Sequence, residues 1–214
     1  MKLKEEYISK EVNTRLYQTP VPVIGLTGGI ASGKSTVSKK LEEKGFPIIC
    51  ADALVHQIYD MEETKNFISH HFPQVINNST IDFKKLREVF FDKPENQSLI
   101  EKFIYKKMPQ KYFEAYQSYE NAEVVIYDVP LLFEKGLDKL VDLKVCVYAP
   151  ENVQIERITK RDGSSEELAK NILSKQMSSE EKKKLSDVVI NNIKSLEDLD
   201  KSLNEFIRVY FSGN

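Results

Sequence analysis

Cysteine is scarce in this chain. Cys50 and Cys146 are the only two among 214 residues, each inside or at the end of an apolar run, and they lack the short pairwise spacing of a zinc site. A disulfide-stapled or zinc-held fold is excluded, and buried free thiols in a reducing cytosol are expected. Long hydrophobic runs are missing too. Nothing approaches the ~20 apolar residues that span a bilayer, and the first 20 residues lack the apolar core of a signal peptide, so a cytoplasmic protein is expected. Nor does charge of one sign dominate: 31 basic residues face 33 acidic ones, for a net charge of -2. That balance argues against a strongly basic nucleic-acid surface, and 41% hydrophobic residues argue against disorder. The lysine run at 181–184 sits among glutamates and reads as a solvated helix face. There is no internal repeat and no low-complexity segment.

What is present is an alternation of short apolar runs with longer helical patterns. Residues 22–27, "PVIGLT", read as a buried strand, 35–44 as a helix stopped by Gly45, and 46–51, "FPIICA", as a second strand. About 70 residues with almost no strand signal follow. Residues 52–72 read as one helix, then "DFKKLREVFF", then 94–120, with an apolar stripe at Ile100, Ile104, Met108, Tyr112 and Tyr116 and a kink or break at Pro109. Tyr105, Tyr112, Tyr116 and Tyr119 read as core more readily than as a base-stacking surface, and His56, His70 and His71 as packing or surface residues. Strand character returns at 123–130, 143–150 and 187–192, with a polar helix carrying Arg157 and Arg161 between the last two and a C-terminal helix ending near Phe211. Continuous apolar strands separated by helices imply a parallel sheet covered on both faces, with the insertions as lobes above it. The first 20 residues read as a short packed helix or a loose tail.

Within "TGGIASGKST", Gly28, four residues, then Gly33-Lys34-Ser35 satisfy the phosphate-loop pattern, and they lie between a strand and a helix as that pattern requires. Glycines let the backbone curl so that successive N–H groups point inward, and the helix N-terminus adds a favourable dipole. Lys34 is assigned to the β- and γ-phosphates, the Ser35 hydroxyl to magnesium, and Thr36 to fixing the turn. A dinucleotide site is excluded, because the spaced Gly-x-Gly-x-x-Gly fingerprint is missing. A GTP switch is excluded as well, since no glycine has an aspartate three residues before it. A small-molecule kinase remains, with a larger ATPase motor or regulator as the other class.

A kinase needs a base near the acceptor hydroxyl, an acceptor lobe, and charges that close over the phosphates. Asp52 follows the second strand, at the sheet edge where ligands gather, and reads either as that base or as a helix N-cap. Asp128 ends the third strand and reads as a metal-side carboxylate acting through water, or as a strand-end cap. Arg157 and Arg161 share a helix face and serve either the transferring phosphoryl group or ion pairs with Glu156, Glu166 and other nearby acids.

The set "IGLTGGIASGKSTV", "ADALVHQIY", "YDVPLLFEKGLD", "QIERITKRD" and "SDVVINN" resembles, in order and spacing over residues 22–210, the dephospho-coenzyme A kinase family of P-loop kinases. The resemblance implies an α/β fold: a three-layer P-loop kinase core with a five-stranded parallel sheet, a helical acceptor-binding lobe and a lid. It implies an N-terminal extension at 1–20 and a single kinase domain at 21–214, with core segments 21–51, 122–156 and 186–214, a lobe at about 52–121 and a lid at about 157–185. The implied reaction moves the γ-phosphate of ATP to the ribose 3′-hydroxyl of dephospho-coenzyme A, with magnesium. Partners are then ATP and dephospho-coenzyme A, with no nucleic acid or membrane, and the protein is a monomer or small homo-oligomer. Carried over by position, Asp52 is the base, Ala31, Ser32, Gly33, Lys34, Ser35 and Thr36 hold ATP phosphates, Asn191 lies near the adenine, and Arg157 and Arg161 belong to the lid side. The family's usual Asp-Ala-Asp reads Cys50-Ala51-Asp52 here. Its usual glycine is Ala31, a change of little cost if φ there is negative. Its lobe pairs Asp-Arg and His-Pro read Asp82-Phe83 and Tyr105-Lys106. A kinase of another small acceptor and a non-catalytic nucleotide-binding regulator stay open as alternatives.

Overall fold

The structure is a computed structural model that describes residues 1–78 and 80–213. In chain order its main elements are β1 (Val23–Gly28), α1 (Lys34–Glu43), β2 (Ile48–Cys50), α2 (Ala51–Asp60), α3 (Glu62–His71), α4 (Phe83–Asp92), α5 (Pro94–Gln117), β3 (Val125–Asp128), β4 (Leu143–Tyr148), α6 (Glu151–Asp162), α7 (Glu166–Leu173), α8 (Ser179–Leu185), β5 (Val188–Asn191) and α9 (Leu196–Tyr210). Internal contacts divide the chain into two compact units, Met1–Ile49 with Tyr119–Asn214, and Cys50–Ser118.

The first unit is built on a five-stranded parallel sheet in the order β2-β3-β1-β4-β5, an α/β fold. Every residue of β1 and β3 is buried, which is why these strands read as unbroken apolar runs. Ile24, Leu26, Ile126, Val145 and Val147 from the sheet form one core with Val37 and Leu41 of α1 and Leu199, Leu203 and Phe206 of α9. The N-terminal stretch belongs to this unit and is not a loose tail; its helical parts are two short 3-10 turns, Glu5–Tyr7 and Leu16–Gln18. Lys2–Leu3 pairs antiparallel with Phe211–Ser212, and Leu3 and Leu16 are fully buried. Arg15, 5% exposed, is paired with Asp142, also 5% exposed, at 2.7 Å. The same carboxylate accepts from the backbone N–H of Ser9, Lys10 and Val23.

The second unit is helical. Residues 52–72 form two helices and not one, because Met61 takes an extended conformation (φ -68°, ψ 137°) between α2 and α3. Pro109 sits inside α5 without ending it. Packing of Ile100, Ile104, Met108 and Tyr112, all buried, along the side that meets α2 and α4 outweighs the lost hydrogen bond. Tyr116 is half-buried and Tyr105 exposed, so the tyrosine stripe is core only in part. Strand boundaries also move: β1 is shifted by one to Val23–Gly28, β2 is only Ile48–Cys50, β3 only Val125–Asp128, β4 only Leu143–Tyr148 and β5 only Val188–Asn191.

The lysine run is not a uniform solvated face. Lys182 is fully buried, its ammonium 2.9 Å from Glu134 and donating to the Pro130 carbonyl at 2.5 Å. Both cysteines are free, Cys146 buried and Cys50 half-buried.

Two expectations follow. Asp142→Ala leaves the Arg15 guanidinium buried and unpaired, and costs about 3–5 kcal/mol in urea denaturation. Burial pushes the Cys146 thiol from its ordinary 9.0 up to about 11, against a weaker opposing pull from Lys182. A folded value above the unfolded one gives stability that is whole below about pH 9 and is lost as pH rises towards 11, about 3 kcal/mol in all. In Cys146→Ala, the fall of the urea midpoint between those pH values is shallower than in the parent. An identical slope rules the thiol out as its source.

Candidate active site

The phosphate loop leaves β1 at Gly28 and enters α1 at Lys34. At Gly28 a Cβ would lie 2.7 Å from the Val147 carbonyl oxygen and 2.6 Å from Ser32 Oγ, so no other residue fits without moving the next strand. Gly33, which precedes α1, has φ 91°, and a Cβ there would stand 2.0 Å from Asn192 Nδ2. The Ser32 N–H closes a turn onto the Gly29 carbonyl at 3.0 Å. Ser35 and Thr36 are exposed in the first turn of α1, while Ser32 is fully buried.

Lys34 donates to Asp128 Oδ1, which joins the loop's cation to the carboxylate at the end of β3. Asp128 is therefore not merely a strand-end cap. Beyond it, the Pro130 carbonyl accepts from Thr27 Oγ1 at 2.9 Å as well as from Lys182. These bonds fix the turn after β3 to β1 and to α8.

Ala31 has φ 59°. The condition under which alanine here would cost little, a negative angle, is thus not met. The loop needs a left-handed residue at the place where the resemblance has glycine, and alanine carries the cost.

Arg157 is half-buried and turned onto the loop. Its Nη1 donates to the carbonyls of Ala31 (3.2 Å) and Ser32 (3.3 Å), and its Nη2 to the Asn192 carbonyl (2.9 Å). Arg161, one turn on, is exposed and held by Asp162 through two bonds of 2.6 and 2.8 Å, so of the nearby acids its ion-pair partner is Asp162. Asn191 ends β5 and is exposed. The neighbouring Asn192 is the residue that reaches the loop, its Nδ2 donating to the Ser32 carbonyl at 2.8 Å. Gln154, 3% exposed, donates to the Ile30 carbonyl at 2.5 Å. Sequence reasoning missed Gln154 and Asn192. The one available signal was a polar residue that the helical and strand patterns turn inward.

Asp52 lies in the first turn of α2 and is exposed. The helix starts at Ala51, one residue earlier than the strand pattern suggests, so Cys50 holds the cap position and the reading of Asp52 as N-cap fails. In the same helical unit, Phe83 is 48% exposed and meets Tyr59 (ring centroids 5.4 Å apart, perpendicular) and His56 (6.2 Å) edge-on. Its neighbour Asp82 caps α4 by accepting from the N–H of Lys84 and Lys85.

The left-handed Ala31 generates an expectation. Ala31→Gly relieves about 1–2 kcal/mol of strain and loses about 0.4–1 kcal/mol to a freer unfolded chain. Denaturant titration should read a gain of between about 0 and 1.6 kcal/mol. A loss beyond 1 kcal/mol would contradict the strained loop.

Comparison with known proteins agrees with this geometry. The sequence model of the family described as dephospho-CoA kinase matches residues 22–198. A dephospho-CoA kinase of Fusobacterium nucleatum is 43% identical over 188 residues, 87% of this chain and 97% of the relative. The solved dephospho-CoA kinase of Campylobacter jejuni superposes with a TM-score of 0.64 at 31% identity, over 87% of this chain and 95% of that one. A solved protein of Thermus thermophilus gives a TM-score of 0.80 at 31% identity, over 90% and 99%. A glycine-tight phosphate loop, a lysine paired to the carboxylate ending β3, and a match that runs from β1 into α9 place this chain in the dephospho-CoA kinase family.

Proposed function

We propose that the protein transfers the γ-phosphoryl group of ATP to the 3′-hydroxyl of the ribose of dephospho-coenzyme A, giving coenzyme A and ADP, the final step of coenzyme A synthesis. The observation that carries this reading is the phosphate loop with Lys34 and Asp128 in contact, in a chain of this family. Ala31, Ser32, Gly33, Ser35 and Thr36 bind the phosphates of ATP. Lys34 leaves Asp128 for them when the nucleotide arrives, exchanging one anionic partner for another.

Magnesium fits the donors present. The exposed hydroxyl of Ser35 and the carboxylate of Asp128 are hard oxygen ligands, and no cluster of three or more His, Cys, Asp or Glu forms a dedicated metal cage among the described residues. Ser35 and, through water, Asp128 would hold the ion with ATP, where it would supply charge neutralisation. Asp52 accepts the proton of the attacking hydroxyl, its exposed carboxylate being open to a substrate. Arg157 and Arg161 stand on the lid side, in the segment 157–185 that follows β4. Arg161 must release Asp162 to act on the phosphates, and the exchange is inexpensive because that pair is exposed. Asn191 borders the adenine. Residues 52–121 supply the acceptor lobe on a core of 21–51, 122–156 and 186–214, with 1–20 as an added clasp. The protein acts in the cytoplasm as a monomer or small homo-oligomer; no helix among the described residues is long and apolar enough to cross a membrane.

The test is ADP release from ATP and magnesium with and without dephospho-coenzyme A, a nucleoside monophosphate or shikimate. Stimulation by dephospho-coenzyme A alone is expected. Stimulation by another acceptor instead reassigns the substrate, and stimulation by none favours a binding protein. Asp52→Asn should lower turnover by about 10²–10⁴ with ATP affinity nearly intact; a variant that turns over at the parent rate removes Asp52 from the role of base.

A further inference from the structure

Three consecutive carbonyls of the phosphate loop are each held by a side-chain donor from outside it. Gln154 takes Ile30, Arg157 takes Ala31 and shares Ser32, and Asn192 takes Ser32. The donors come from two separate elements, α6 and the residue after β5, and are themselves linked, since Arg157 Nη2 binds the Asn192 carbonyl. Asn192 in turn continues the ladder of β5 by donating its N–H to the Tyr148 carbonyl at 2.8 Å. Gln154 and Asn192 are 3% and 8% exposed, so neither is free to swing away.

In a trans peptide the carbonyl of one residue and the N–H of the next point in opposite directions, and no cis bond occurs among the described residues. Fixing the carbonyls of Ile30 and Ser32 on the outer face turns the N–H groups of Ala31 and Gly33 to the inner one. The N–H between them, that of Ser32, closes the turn onto Gly29. The conformation held in this way includes Ala31 at φ 59°, which alanine does not adopt unaided.

We propose that Gln154, Arg157 and Asn192 are positioning residues for ATP. They clamp the loop's carbonyls outward against the strain at Ala31, and so keep its N–H groups aimed at phosphate before the nucleotide binds. In this arrangement the guanidinium of Arg157 acts through its fork of donors as well as through its charge. The proposal rests on the phosphate-loop reading but not on the identity of the acceptor.

It is tested by the dissociation constant of ATP with magnesium, measured by calorimetry without acceptor, so that failure to phosphorylate dephospho-coenzyme A would leave it untouched. Asn192→Asp and Gln154→Glu keep side-chain size while replacing a donor by an oxygen that faces a carbonyl; each should weaken ATP about tenfold. Arg157→Lys keeps the charge but loses the fork and should weaken ATP similarly. In the Ala31→Gly background the loss from Asn192→Asp should shrink to about a third or less, because a glycine holds the left-handed turn without help. A weakening below threefold in both Asn192→Asp and Gln154→Glu overturns the proposal. So does an equal fold-loss with and without Ala31→Gly, the result expected if the side chains only stabilise the fold. A thermal melt of each variant confirms that folded protein is titrated.

Discussion

The packing of β1 against β4 is so tight at Gly28 that a single added carbon would meet the Val147 carbonyl at 2.7 Å, and the rest of the site depends on that approach. The register pairs Gly28 with Val147, so the loop springs from the sheet one residue before β4 ends at Tyr148. This brings the loop within reach of the side chains that follow β4 and β5. A bulkier residue at 28 would push the loop off the sheet edge, and Gln154, Arg157 and Asn192 would lose their carbonyls together. The shape of the loop is thus set by backbone packing before any side chain acts.

The same strand is tied at both ends by a carboxylate. At its start the N–H of Val23 donates to Asp142 at 2.8 Å, within the buried pair that Asp142 makes with Arg15. At its far end the loop's Lys34 is held by Asp128, from the neighbouring strand β3. The two ties differ in kind. Asp142 has its charge and lone pairs consumed by Arg15 and three backbone N–H groups, a closed structural centre whose parts come from the N-terminal stretch and the turn before β4. Asp128 has one cationic partner that the proposed reaction must borrow. A buried carboxylate is stable in both places because it is paired, but only the second pair is built to be exchanged.

Where the sequence was legible, one residue type in one place was the only physical solution. The spacing from Gly28 to Ser35 declared the loop because close approach and a positive φ leave few alternatives, and the parallel sheet was readable because strands buried on both faces must be apolar throughout. The extra details depended on tertiary packing. Pro109 read as a kink or a break, and the break does not occur, since the buried stripe from Ile100 to Tyr112 carries α5 through it. Met61 gave no signal at all, and it divides what the pattern showed as one helix. Lys182 looked like part of a solvated run because composition cannot tell which lysine of three meets Glu134. Asn192 gave no signal because it stands just past a strand end, where alternation ceases to say which neighbour points inward.

The backbone angle at Ala31 was legible in one respect and hidden in another. Resemblance marked the position as one where glycine is usual, but the sign of φ is a property of the closed loop, and alanine gives no local sign of it. An alanine at 59° persists only if its surroundings over-determine the conformation. Here the surroundings are identifiable: one donor each on the carbonyls before and after it, Gln154 on Ile30 and Asn192 on Ser32, with Arg157 on its own carbonyl and shared with the next. Strain and brace therefore form one feature. Glycine would supply this curvature from its own freedom; this chain supplies it by bonding the loop to α6 and to the residue after β5.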